Sequence, residues 1–215
     1  DRRRGARRRA RAGAKVMTGS HDTERAARVA VIAWPSAELS ALLEANEAVV
    51  CCARAPSGRA AVDAVVREIL RAALAEPDIA RAPGGKPYLA SPDAHRPLNF
   101  NVSHSGEVLL VALSRTAEVG VDVERIRLVP EWRKIADRMF DARTRDQLSA
   151  DIAAGDADGD AFVRHWCRLE ATVKATGAGL FGARPESART RIVDLPQLPL
   201  PAGPARYHGA LALHS

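Results

Sequence analysis

Two short stretches hold the side chains best suited to chemistry: "GVDVE", residues 120–124, and "WCRLEATVKATGAGL", residues 166–180. In extended backbone successive side chains alternate faces. Val121 and Val123 then turn one way, and Asp122 and Glu124 the other. The two acidic residues stand about 6.7 Å apart along that face, two strand steps. A half-exposed strand with a polar outer face accommodates this pattern. Yet acidic residues are depleted in strands, and two on one face repel. A cation beside them would relieve that repulsion, and Mg²⁺ prefers such hard oxygen ligands.

Glu170 and Lys174 lie four residues apart in a predicted helix that Gly177 would stop. At about 100° per residue, Phe162, Trp166, Leu169 and Val173 form a narrow apolar stripe, with Arg164, Arg168, Thr172 and Ala175 opposite. Glu170 and Lys174 fall on the flank of the stripe, beside Val163 and Cys167. A surface bridge would contribute only about 0.3–0.5 kcal/mol and would more naturally join the arginine side. The flank position instead points to a partly desolvated crevice, where protonation depends on the partners.

Two further stretches offer single candidates. "NVSHS", residues 101–105, puts Ser103 and His104 in a turn after a short strand; a lone His is more often structural or exposed than functional. "GGKPYL", residues 84–89, carries Lys86 on a Gly-Gly turn. Such a lysine can sit beside a phosphate or in a solvated loop.

The elements that must position these residues follow from periodicity. "RVAVIAW" reads as a buried strand, and "SAELSALLEANEAV" as a helix with Ser36 as its cap. "SGRAAVDAVVREILRAALAEPDI" is a stronger helix, closed by Pro77. "EVLLVALS" and "VGVDVE" read as an antiparallel hairpin joined by "RTAE". "PEWRKIADRMF" is an amphipathic helix with Pro in its first turn, followed by "TRDQLSADIAAG" as another. The long helix then starts at Asp158 or Asp160, and two strands with a Pro-rich link end the chain. This order predicts an α+β fold with antiparallel sheets and helices on one side.

The 215 residues suit one ordinary domain or two small halves sharing a core. Aromatic residues are only 4%, so aliphatic side chains must do most of the packing. The net charge of +6 misleads: residues 1–16 hold seven Arg and one Lys against one Asp, leaving the remainder at −1. Residues 1–20 are expected to form a disordered Arg-rich tail. The run either contacts an acidic surface such as nucleic acid or is an upstream extension with Met17 as the start; the second is favoured, since the run carries no readable motif. The three cysteines show no ligand spacing and suggest small buried thiols in a reducing compartment, here the cytoplasm. No apolar run reaches the roughly 18 residues that a membrane helix needs.

"GGKPYL", "NFNVSHS", "GVDVE" and "WCRLEATVKATGAGL" stand in an order and spacing that resembles the 4′-phosphopantetheinyl transferase superfamily, in its two-lobed (Sfp-type) class. The closest likeness covers residues 84–180. The resemblance implies two similar halves, a pseudo-dimer with the site in the cleft between them, at residues 21–115 and 116–215. It implies an enzyme that moves the phosphopantetheine arm of coenzyme A onto a serine of an acyl or peptidyl carrier protein. By the same likeness, Asp122, Glu124 and Glu170 would hold Mg²⁺. Glu170 would take the serine proton, and Lys174 would stabilise or protonate the leaving phosphate. Lys86, Ser103 and His104 would contact coenzyme A phosphates, His104 counting also as a catalytic residue beside Glu170 and Lys174, and Arg59 would reach the 3′-phosphate in competition with Arg67 and Arg71. A monomer is implied.

Two departures from the family pattern stand out. Leu169 occupies the place of the usual Lys before the helix Glu, and the segment between Glu38 and Arg59 is short. Both support an alternative, a catalytically impaired coenzyme A- or carrier-binding homologue. On the helix of residues 131–140, Arg133, Lys134 and Arg138 could steer an acidic carrier. Trp132, Met139 and Phe140 would serve either as its anchor or as core.

Overall fold

The computed structural model describes residues 15–18, 28–74, 76–82, 85–90, 97–179, 189–199 and 205–215. Among them are two stacked sheets with helices on their outer faces. A five-stranded sheet has the order β1-β2-β3-β7-β6: β1 (Lys15–Thr18), β2 (Arg28–Ala33), β3 (Ala48–Arg54), β7 (Val108–Ser114) and β6 (Asn99–Ser105). Helices α1 (Leu39–Ala45) and α2 (Arg59–Ala73) cover one face, burying Leu39, Leu43, Ile69 and Leu70 against Val49, Cys51 and Val111. A three-stranded sheet has the order β8-β10-β9: β8 (Glu118–Arg125), β10 (Tyr207–His214) and β9 (Thr190–Leu195). Its outer face carries α3 (Trp132–Met139), α4 (Ala142–Ala153) and α5 (Asp158–Thr176). A small hairpin joins β4 (Ile79–Arg81) to β5 (Pro87–Leu89).

The inner faces of the two sheets share one core, in which Val119, Val121 and Val123 of β8 meet Val50, Cys52 and Leu110. Each buried valine contributes about 1.5–3 kcal/mol. That side of β8 is therefore fixed inward, and strand alternation turns Gly120, Asp122 and Glu124 toward α5.

The expected α+β class holds, with several differences in detail. The expected β7–β8 hairpin does not form: β7 pairs with β3 and β6, while β8 pairs with β10 in the other sheet. Both strands are apolar on the side where the sheets stack, so face-to-face burial replaces edge pairing. The first sheet is mixed rather than antiparallel, because β2 runs parallel to β3. The first predicted helix was too long: it stops at Ala45, where Asn46 folds back on the Leu42 carbonyl, and the β-branched run that follows becomes β3. The cap before α5 is Ala157, not Asp158 or Asp160, and that before α1 is Glu38, whose N–H bonds to Ser36 Oγ. Residues 15–18, placed in the disordered tail, form β1 on the open edge of β2; residues 1–14 and 19–27 lie outside the described residues. Met139 and Phe140 are core, packed with Phe162, rather than a carrier anchor. No helix among the described residues is long and apolar enough to cross a membrane.

Candidate active site

Helix α5 approaches β8 closely because both surfaces are small. A Cβ at Gly120 would collide with the Ala171 carbonyl and the Ala175 N–H, so only glycine fits there. The buried face of α5 centres on Cys167, Ala171 and Ala175, while Trp166, Leu169 and Val173 of the predicted stripe are only half-buried. Hydrophobicity alone misplaces the contact, since close approach favours small side chains. Ala175, expected on the arginine side, is thus buried; Glu170 and Lys174, expected on the flank of the Phe162–Val173 stripe, flank this small-residue face, and α5 ends at Gly177 in the left-handed conformation, with φ 69°.

Asp122 is 4% exposed, and the reach of α5 brings Lys174 onto it. Lys174 Nζ donates to Asp122 Oδ1 at 2.7 Å, to Ser103 Oγ at 3.2 Å and to the Val121 carbonyl at 3.2 Å. Those three bonds use all three ammonium hydrogens. The Lys174 carbonyl in turn accepts from Lys86 Nζ at 3.0 Å, which ties the glycine-lysine turn to the negative end of α5. Ser103 Oγ donates to Asp122 Oδ1 at 2.8 Å, and Ser105 Oγ donates to Glu124 Oε2 at 2.9 Å. Burial pushes the Glu170 carboxyl up from its ordinary value; the Asp122 and Glu124 charges add to this, and Lys174 opposes it. Burial and the neighbouring Asp122 also push up the Cys167 thiol, whose hydrogen goes to the His208 carbonyl at 3.4 Å.

Asp122, Glu124, Glu170 and Lys174 therefore share one electrostatic environment. Among the described residues, no three His, Cys, Asp or Glu side chains are arranged so that they could hold a metal ion. One acidic oxygen there is nevertheless left without a partner. Asp122 Oδ2 is buried with no hydrogen-bond partner, an expensive condition for a carboxylate oxygen. This all-oxygen donor set fits a hard divalent ion such as Mg²⁺.

Arg59 and His104 lie elsewhere, on the opposite face of β6. They line a groove of about 590 Å³ with Arg67 and Arg81, over an apolar floor that includes Val62, Val66 and Val102. Arg59 opens α2 after Gly58, whose φ is 88°, so the positive end of the helix adds to the basic lining. Arg81 Nη1 donates to the Gly85 carbonyl at 2.7 Å and also pairs with Asp63. A Cβ at Gly85 would lie 3.6 Å from Arg59, so the glycine-lysine turn sits against the helix start. Ser103 and His104 are strand residues rather than turn residues. Alternation sends Ser103 to the acidic site and His104 to the groove.

Two features escaped the sequence. Ser105 shares the face of Ser103, and the alternation in "NVSHS" was the available signal. Arg168 makes a two-pronged pair with Asp194, at 2.8 and 2.5 Å; β9 is remote in sequence, and only the expectation that Arg168 points away from the acidic cluster was within reach.

The sequence profile of the 4′-phosphopantetheinyl transferase superfamily matches residues 118–196. A second profile, the N-terminal part of 4′-phosphopantetheinyl transferase, matches residues 52–116. Relatives include the 4′-phosphopantetheinyl transferase AcpT of Salmonella typhi, 37% identical over 58% of this chain and 64% of that protein. AcpT of Escherichia coli K12 is 38% identical over 47% of this chain and 49% of its own length. HetI of Nostoc sp. PCC 7120 is 34% identical over 45% and 40%. The chain thus spans less than two thirds of the length of these relatives. The two profiles abut between β7 and β8. One takes in the basic groove and the other the acidic strand and α5, and with both accounted for, the chain belongs to the 4′-phosphopantetheinyl transferase superfamily.

Proposed function

We propose that this protein transfers the 4′-phosphopantetheine group of coenzyme A to a serine of an acyl or peptidyl carrier protein, with Mg²⁺ as cofactor. The observation that carries this reading is the buried, partnerless Asp122 Oδ2 in a site it shares with Glu124 and Glu170. Asp122, Glu124 and Glu170 would hold the ion. Bound there, Mg²⁺ would polarise the coenzyme A pyrophosphate and offset the charge of the departing 3′,5′-ADP.

The chain's own side chains would do the rest. Arg59, Arg67 and Arg81 offer the groove's positive lining to the nucleotide phosphates, and His104 can offer a ring N–H beside them. Lys86 holds the turn beside this groove against α5 and can reach a phosphate. Glu170, its carboxyl raised toward the working range of a general base, accepts the proton as the serine oxygen forms its bond to phosphorus. The pyrophosphate P–O bond breaks, and Lys174, released from Asp122, puts its charge on the leaving phosphate. The site would lie in a cleft between two halves, residues 21–115 and 116–215. The working form would be a monomer in the reducing cytoplasm, where Cys51, Cys52 and Cys167 stay free thiols.

Incubation with coenzyme A, Mg²⁺ and apo carrier proteins tests the reading by mass. A carrier that gains the mass of the arm supports it. Leu169, which packs beside the α5 core where the family places a cation, favours the second reading of an impaired homologue. Binding of coenzyme A with no transfer to any carrier would establish that reading instead.

A further inference from the structure

Strand β6 and strand β8 belong to different sheets, yet side chains of one cap the backbone of the other. Asn101 Oδ1 accepts the Val121 N–H at 3.1 Å, Ser103 Oγ the Val123 N–H at 3.3 Å and Ser105 Oγ the Arg125 N–H at 3.1 Å. Alternate residues of β6 thus replace the neighbouring strand that the outer edge of β8 lacks. The two serines do more. Each accepts an N–H from one β8 residue and donates its own hydrogen to the carboxylate just before it, Ser103 to Asp122 and Ser105 to Glu124. The same arrangement repeats two residues along.

A hydroxyl has one hydrogen and two lone pairs. For Ser103 all three are spent, on Asp122, Lys174 and the Val123 N–H, which leaves nothing for a phosphate. Its place is behind the carboxylate rather than in front of a ligand. The backbone N–H holds each serine oxygen at a fixed distance from the strand, so each hydroxyl points one carboxylate oxygen back toward β6. In Asp122 the Ser103 hydroxyl and the Lys174 ammonium of α5 both fall on Oδ1, and the second oxygen, left for a cation, is the unpartnered one.

We propose that Ser103 and Ser105 are positioning residues for the metal-binding carboxylates: a pair of hydroxyls, anchored on β8 amides, that aims Asp122 and Glu124 at the ion. This rests on the metal reading above and gives that reading a structural cause. Ser105 is the cleaner probe, because Ser103 also holds Lys174. Asn101 is the internal control: it caps the same seam through Oδ1, which accepts the Val121 N–H and, as an amide oxygen, has no hydrogen to give a carboxylate.

The test is a Mn²⁺ titration followed by electron paramagnetic resonance, with coenzyme A present, on the full chain. Loss of an outer partner of a metal ligand usually costs about 10–100-fold in affinity. Ser105→Ala should weaken Mn²⁺ binding by about 10-fold, and Ser105→Thr, which keeps the hydroxyl, should restore it. Asn101→Ala should lower the melting temperature and leave Mn²⁺ affinity unchanged; Asn99→Ala, which removes the bond to the Ala117 carbonyl, serves if Asn101→Ala does not fold. In the transfer assay, Ser105→Ala should raise the Mg²⁺ concentration needed for half-maximal rate more than it lowers the rate at saturating Mg²⁺. Equal Mn²⁺ affinity in Ser105→Ala and wild type overturns this inference alone. So does an equal loss in the seam control, since seam integrity would then explain both. A wild-type chain that takes up no Mn²⁺ overturns the metal reading, and this inference with it.

Discussion

Helix α5 carries two charged clusters that look alike and are built differently. Near its start, Asp151 of α4 accepts from Arg164 Nη2 at 2.8 Å, meets His165 Nε2 at 2.8 Å and accepts from Gln147 at 2.9 Å. Arg164 also reaches Asp156 at 2.6 Å. Burial alone would raise the Asp151 pKa, but the bonds from Gln147, His165 and Arg164 outweigh it and hold the carboxyl below its ordinary range. Both carboxylate oxygens are satisfied, so this cluster clamps α4 to α5. Near the helix end, Asp122 has a cation on one oxygen and nothing on the other, and Glu170 is held toward its protonated form. A satisfied cluster stabilises a fold; an unsatisfied one has capacity left for a ligand.

Substitutions at the two clusters should separate these roles. The largest expected effect is Glu170→Gln: transfer falls by about 10²–10⁴-fold, the usual contribution of a general base. The metal-free protein, relieved of a buried like charge, should melt at the same temperature or higher near neutral pH. Ordinary turnover in mass-shift kinetics would refute the assignment. Asp122→Asn should reduce rate and Mg²⁺ response together, by more than the roughly 10–100-fold typical of outer partners. An unchanged metal titration would count against it.

At the satisfied cluster, Asp151→Ala should cost about 1–3 kcal/mol in denaturant unfolding, because it leaves His165 and Arg164 short of an acceptor. Transfer kinetics should be unchanged. The Arg168–Asp194 pair offers a pH test. Burial works against the Asp194 charge, but the Arg168 hydrogen bonds and then His208 overcome it, so its folded pKa is depressed. A depressed carboxyl contributes stability that is fully present above the unfolded Asp value of about 3.9 and is lost as pH falls through the folded value. Urea titrations of Arg168→Met and wild type should therefore differ most at neutral pH and converge in strong acid. The smallest effect is expected from Leu169→Lys. Leu169 is half-buried, so a lysine stem can lie along the same surface with its charge outward; the transfer rate should rise a few-fold, and no change would mean that Lys174 already supplies the needed cation.

Much of the site was legible because local rules govern it. Alternation along β8 puts Asp122 and Glu124 on one face whatever lies beyond them. Helical spacing puts Glu170 and Lys174 one turn apart, and Gly177 supplies the left-handed stop. Ser105 and the true contact face of α5 were harder. The first needed β6 and β8 to meet through side chains, and the second depended on the close approach that Gly120, Ala171 and Ala175 permit.

The sequence by itself determined which side chains share a face and where helices end, since both follow from backbone geometry over a few residues. Tertiary structure alone decided that β7 and β8 part into separate sheets, that Lys174 lies on Asp122 and that Arg59 and His104 face a groove across β6 from Ser103. Those outcomes depend on which apolar surfaces bury one another, and residues far apart in the chain meet only when that burial is complete.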